Sequence, residues 1–112
     1  MDCAGPQGGL GCVGGFAFQA YDYVQVVGAE AEDSYPYEDD DNRCRFNTTK
    51  IVAKISGYVN ITSKDENALQ QAVATVGPVT VGIDSSHTGF QLYKSGSTYL
   101  FFFVDSFIFS DD

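Results

Sequence analysis

Tryptophan is absent from the 112 residues, histidine occurs once, as His87, and lysine and arginine total 6 against 15 aspartates and glutamates. The resulting formal charge of -9 argues against a nucleic-acid partner and against a polybasic membrane contact, because both need cationic surface. No membrane span is expected either, since the most apolar stretch, Tyr99 to Phe109, is short and interrupted by Asp105 and Ser106. Cys3, Cys12, Cys44 and His87 include no Cys-x-x-Cys pair, which argues against structural zinc and leaves no metal assigned. The opening Met1-Asp2-Cys3 has neither a charged n-region nor an apolar h-region, so no signal peptide is expected in this chain.

What is present begins with crowding. Between Cys3 and Gly15 lie two cysteines and six glycines, directly ahead of a helix-like segment. Glycine loses the most conformational freedom on folding, so such density marks tight turns or the close approach of another backbone. Three cysteines are an odd number, and at least one is left without a partner inside these residues. Asn47-Thr48-Thr49 and Asn60-Ile61-Thr62 are N-glycosylation triplets, with Asn47 and Asn60 as acceptors, and with the cysteines they favour a secretory or lysosomal route. Such a body without a secretory start points to a piece of a longer protein. Seven carboxylates fall between Glu30 and Asp41 without a basic residue, a pattern that fits a solvated loop better than an EF-hand calcium site.

Ala17, Ala20, Tyr21, Val24 and Val27 recur at helical spacing, with Gly28 where a left-handed C-terminal residue belongs, and predict a buried helix over Phe16 to Val27. Ser34-Tyr35-Pro36-Tyr37 predicts an ordered loop whose two tyrosines pack inward. A strand is expected over Gly57 to Ile61. Ser63-Lys64-Asp65-Glu66 has capping-box spacing, and Leu69, Ala72, Val73 and Val76 form the apolar face of the helix that follows, ended by Gly77-Pro78. Alternation of Val79, Val81 and Ile83 predicts a strand with one apolar face, and Phe90 to Tyr93 a helical turn. The phenylalanine-rich stretch after Gly96 fits either a buried strand or a non-native tail.

Gly9 to Gly14 matches Gly-x-Gly-x-x-Gly, with Glu30 and Glu32 at a distance suited to a ribose contact, yet no apolar strand precedes it, so a dinucleotide site is disfavoured. No cofactor is assigned. The cysteines sit in framework-like surroundings, and His87 is expected to be a surface residue.

Asp2-Cys3-Ala4-Gly5 and Gly11-Cys12-Val13-Gly14-Gly15 resemble a segment of papain-family, cathepsin L-like cysteine proteases, and further matches follow in the same order. They are Ser34-Tyr35-Pro36-Tyr37, Cys44, Gly57-Tyr58-Val59, Ala72 to Val81, and Phe90 to Gly96, covering roughly residues 2 to 96. The resemblance implies an α+β fold, a partial and incomplete papain-like fold holding the end of the helical lobe and the start of the β-barrel-like lobe. Residues 1-96 are then part of a peptidase domain, and residues 97-112 a divergent apolar tail that departs from the family after Gly96.

The same resemblance implies a Cys3–Cys44 disulfide and an unpaired Cys12 whose partner lies upstream. It also implies substrate binding by Gly14, Gly15, Phe16, Ala17 and Gly82, with the paired glycines Gly14 and Gly15 forming one wall of the cleft, Gly15 pairing through its backbone to an extended peptide, and Phe16, Ala17 and Gly82 lining a hydrophobic pocket. No catalytic residue is assigned, because the family's Cys-Gly-x-Cys-Trp segment, general-base histidine and orienting asparagine match nothing here. The implied function is peptide-bond hydrolysis of a peptide or protein substrate by the complete enzyme, lysosomal or extracellular, with these residues inactive alone. The other reading is a non-catalytic module that binds a peptide or partner.

Overall fold

The structure, a computed structural model, describes residues 1–83, 85–86, 88–96 and 106–110. His87 and residues 97–105 of the phenylalanine-rich stretch lie outside them, so the surface placement expected of His87 is not addressed. The chain divides into two compact units, one built mainly on Met1–Val59 and the other on Asn60–Ile108. Helices and short strands occur in both, as an α+β chain requires.

In the first unit, two 3-10 turns, Gly5–Gln7 and Gly11–Val13, lead into helix α1, Ala17–Val26. Gly28 ends the helix as its sequence position predicts: at φ 102° its N–H reaches the Val24 carbonyl at 2.9 Å. A side chain there would be strained, and its Cβ would come within 2.9 Å of Ile51 Cγ2. That tight approach lets strand β1, Ala29–Glu30, pair antiparallel with β2, Ile51–Ala53, setting Ala29 opposite Ala53 and Glu30 opposite Ile51 with a shift of register between them.

Helix α1 is less buried than its apolar spacing predicts. Tyr21 is its one buried residue, whereas Ala17, Val24 and Val27 are half-buried and Ala20 is exposed. Aromatic contacts do the packing: Tyr21 meets Tyr58 with ring centroids 5.5 Å apart, and Tyr23 meets Phe46 edge-on at 6.2 Å. The Tyr58 hydroxyl donates to Asp22 Oδ1 at 3.1 Å, and Gln25 Nε2 donates to the Ser56 carbonyl at 2.8 Å. Both bonds tie α1 to the start of β3, Gly57–Ile61, the strand predicted over those residues.

The loop after β1 packs only one of its two tyrosines. Tyr35 is half-buried, but Tyr37 is 64% exposed, because Glu32 accepts from its amide at 2.8 Å and Asp39 Oδ1 accepts from its hydroxyl at 2.9 Å, holding it among carboxylates.

In the second unit, helix α2 spans Glu66–Thr75. Its cap is not Ser63. Lys64 takes φ 65°, which breaks any helical path from Ser63, and Asp65 accepts from the Ala68 amide at 3.0 Å instead. Leu69 and Ala72 turn inward as predicted, whereas Val73 and Val76 of the same expected face are 52% and 57% exposed. Val76 already lies past the last helical residue, and Val73 sits a full 100° step around from Ala72.

Gly77, at φ 125°, ends the helix ahead of Pro78. Strand β4 is limited to Thr80–Val81, shorter than the alternation predicts, and Val81 and Ile83 are exposed rather than forming a buried face. Helix α3, Thr88–Gln91, supplies the expected turn. Strand β5, Ser106–Ser110, pairs antiparallel with β4, Thr80 opposite Phe107 and Val81 opposite Ser106, within a sheet ordered β3, β5, β4.

Candidate substrate-cleft wall

The glycine-rich segment is held from both sides. Cys3 and Cys44 form a disulfide with Cα atoms 4.9 Å apart, anchoring the chain entry to the end of the acidic loop. From Cys3 onward the backbone bonds to itself: the Gln7 and Gly9 amides donate to the Ala4 carbonyl at 3.1 and 3.0 Å, and the Leu10 amide donates to the Gly14 carbonyl at 2.9 Å.

Two side chains lock this ribbon in place. Gln19, in the first turn of α1, accepts from the Phe16 amide at 2.7 Å and donates to the Gly8 carbonyl at 2.9 Å. The first bond serves one of the amides that a helix start leaves without an intrahelical partner, and the second staples the loop to the helix. Phenylalanine has no acceptor, so Phe16 contributes only its backbone to this cap. On the other side, Asp41 Oδ1 accepts from the Cys12 amide at 2.7 Å. Gly11 has φ 56°, and any Cβ at that position would collide with the Asp41 carboxylate. Glycine at this position therefore serves both conformation and close approach.

The result is an open cavity of about 380 Å³ whose lining includes Gly9, Gly14, Gly15, Phe16, Ala17 and Gln19. Four of the five residues expected to bind substrate, Gly14 through Ala17, thus come together on one wall. Gly82, the fifth, belongs to the second unit, directly after β4, and is exposed. Gly15 is exposed, and no described residue engages its N–H or C=O, so both are free to pair with an extended chain. Phe16 is 65% exposed and stacks on Phe18 with centroids 5.5 Å apart, which presents an aromatic face beside those polar groups.

Electrostatics near the wall are acidic. Cys12 is unpaired and exposed, and its thiol is pushed up from the usual range, by local loss of hydration first and then by Asp41, Asp40 and Asp39. Behind the disulfide, the Tyr35 hydroxyl donates to Asp2 Oδ2 at 2.7 Å and accepts from the Arg45 amide at 3.1 Å. That hydroxyl is the main reason the Asp2 carboxyl is held below its usual range. The Arg45 guanidinium lies 5.3 Å above the Tyr35 ring and pairs with Glu38 at 2.7 Å. Among the described residues no cluster of histidine, cysteine, aspartate or glutamate could hold a metal ion, and no helix is long and apolar enough to cross a membrane.

Sequence patterns missed Gln19 and Asp41. Gln19 carries a usable signal, since glutamine at the third helical position is half of a capping box. Asp41 carries none that separates it from its neighbouring carboxylates.

The family described as papain family cysteine protease matches residues 1–102. The chain belongs to that family. It is 45% identical over 100 residues to digestive cysteine proteinase 2 of Homarus americanus, a match covering 88% of this chain and 31% of that protein. Against cathepsin L2 of Homo sapiens it is 44% identical over 97 residues, covering 86% and 29%. The solved structure of digestive procathepsin L 3 from the larval midgut of Tenebrio molitor superimposes with a TM-score of 0.83 at 40% identity, covering 88% of this chain and 32% of that one. The chain therefore spans under a third of the length of these relatives and is a partial papain-like fold.

Proposed function

We propose that these residues supply one wall of the substrate cleft of a cysteine endopeptidase, and that taken alone they do not carry out its chemistry. The observation that carries this reading is the unengaged, exposed Gly15 peptide beside Phe16 and Ala17 on one cavity wall. An extended substrate pairs with the Gly15 N–H and C=O as an added strand does, while Phe16 and Ala17 favour an apolar substrate side chain.

Hydrolysis by this class needs a thiolate activated by a base. Cys3 and Cys44 are consumed in a disulfide, and the thiol of Cys12 is shifted away from the thiolate form. The nucleophile, base and orienting asparagine therefore come from outside these residues, no cofactor is called for, and the substrate is a peptide or protein. Residues 1-96 form the peptidase portion and residues 97-112 a divergent tail. The disulfide and the two glycosylation triplets suit a lysosomal or extracellular protein.

The purified 112-residue chain is expected to give no turnover of fluorogenic peptides with an apolar residue second before the cut, and no covalent capture by a thiol-directed epoxide. Turnover that disappears on alkylating Cys12 contradicts the assignment of no catalytic residue.

A further inference from the structure

We propose that Asn47 is the glycan acceptor of this chain and that Asn60 is not, an inference that rests on the lysosomal or extracellular route proposed above. Both lie in Asn-x-Thr triplets and both are exposed, so sequence and accessibility do not separate them.

Local geometry does. Asn47 caps the 3-10 turn Thr48–Lys50, and its Oδ1 accepts from the Thr49 amide at 3.0 Å and from Thr49 Oγ1 at 2.8 Å. This is an Asx-type turn closed within two residues, and it needs no tertiary partner to form. It is therefore available to a nascent chain, the state in which such transfer takes place. Two donors on one amide oxygen draw electron density from the carboxamide and make an Nδ2 proton easier to lose. Nδ2 itself has no partner among the described residues, and Asn47 is kept at the turn by donation of its backbone amide to Glu30 Oε1 at 2.7 Å.

Asn60 has the opposite setting. It lies within strand β3 between Val59 and Ile61, and neither its side chain nor that of Thr62 makes a hydrogen bond among the described residues. Extended, β-branched surroundings oppose the turn that the triplet needs.

In the transfer, Asn47 Nδ2 forms a bond to the anomeric carbon of an oligosaccharide carried on a lipid diphosphate. The bond from that carbon to the diphosphate oxygen breaks, the diphosphate leaves with the electron pair, and one Nδ2 proton passes to a base of the transferase. The folded product accepts the glycan without rearrangement, because Asn47, Thr48 and Thr49 are all exposed.

The test is expression of the full chain behind a supplied secretory leader, with an added C-terminal Asn-Gly-Thr triplet reporting entry, followed by endoglycosidase mobility shifts and mass-spectrometric site mapping. Occupancy at Asn47 is expected to exceed that at Asn60 at least fivefold. Thr49→Ala should abolish the Asn47 glycan, Thr49→Ser should restore it in part, and Thr62→Ala should leave the pattern unchanged. Equal or greater occupancy at Asn60, or an unmodified Asn47 beside a modified reporter triplet, overturns the proposal. The supplied leader keeps this outcome separate from the lysosomal or extracellular reading, which fails on its own if the naturally expressed protein fractionates with the cytosol.

Discussion

Replacing Gln19 with alanine removes the side chain that hydrogen-bonds the glycine ribbon to α1. Its carboxamide makes two bonds, from the Phe16 amide at 2.7 Å and to the Gly8 carbonyl at 2.9 Å. At about 0.5–1.5 kcal/mol each they contribute about 1–3 kcal/mol, and since the site is only half-buried, water recovers part, leaving an expected loss of about 1–2 kcal/mol. Exchange of the Phe16 amide should accelerate by about fivefold for each kcal/mol lost. Gln19→Glu separates the two bonds. A carboxylate at this position still accepts from Phe16 and suits the helix N-terminus, but it cannot donate to Gly8. Native-state amide exchange followed by NMR, with urea melts of the three proteins, reads both effects. Protection of Phe16 should persist in Gln19→Glu and fall in Gln19→Ala, and the glutamate variant should lose less stability in urea than the alanine variant. Equal exchange at Phe16 in wild type and Gln19→Ala would mean that the Gln19 carboxamide does not hold the Phe16 amide.

Other perturbations probe the surroundings of the wall. Converting both Cys3 and Cys44 to serine removes a link across a sequence separation of 41, and should lower stability by about 4 kcal/mol on the loop-entropy estimate, measured by denaturant unfolding. Cys12 should react slowly with iodoacetamide at neutral pH, and Asp41→Asn should speed it, since a carboxylate that raises the thiol is gone. The Asp2 carboxyl is depressed in the folded chain chiefly by the Tyr35 hydroxyl, so its contribution to stability is present above the unfolded-state value and is lost as pH falls through the folded one. An NMR titration should place Asp2 below the ordinary aspartate range in wild type and move it upward in Tyr35→Phe.

Elements with local signals were legible in the sequence. Periodicity and Gly28 define α1, the bounds of β3 match the predicted Gly57 to Ile61, and Gly77 ends α2. The two- and three-residue strands β1 and β2 were missed because their pairing brings Ala29 to Ala53, a non-local match with no alternation to announce it. Side-chain direction was legible only in part, since Val73 and Val76 share spacing with Ala72 but not its burial. At the site, family resemblance rather than spacing supplied both the expectation for Gly14 to Ala17, which line one cavity, and the Cys3–Cys44 pairing. What holds the wall depends on Gln19 and Asp41, whose roles arise only when the loop folds back on them.

The Gly15 wall is proposed to bind an extended peptide. Titrating the isotope-labelled chain with a peptide carrying an apolar residue and following amide resonances tests it most directly. Saturable shifts centred on Gly15, Phe16 and Ala17 are expected, weakened when the peptide is N-methylated at the residue that pairs with Gly15. Saturable shifts that leave Gly15 unmoved and centre elsewhere in the first unit would contradict it.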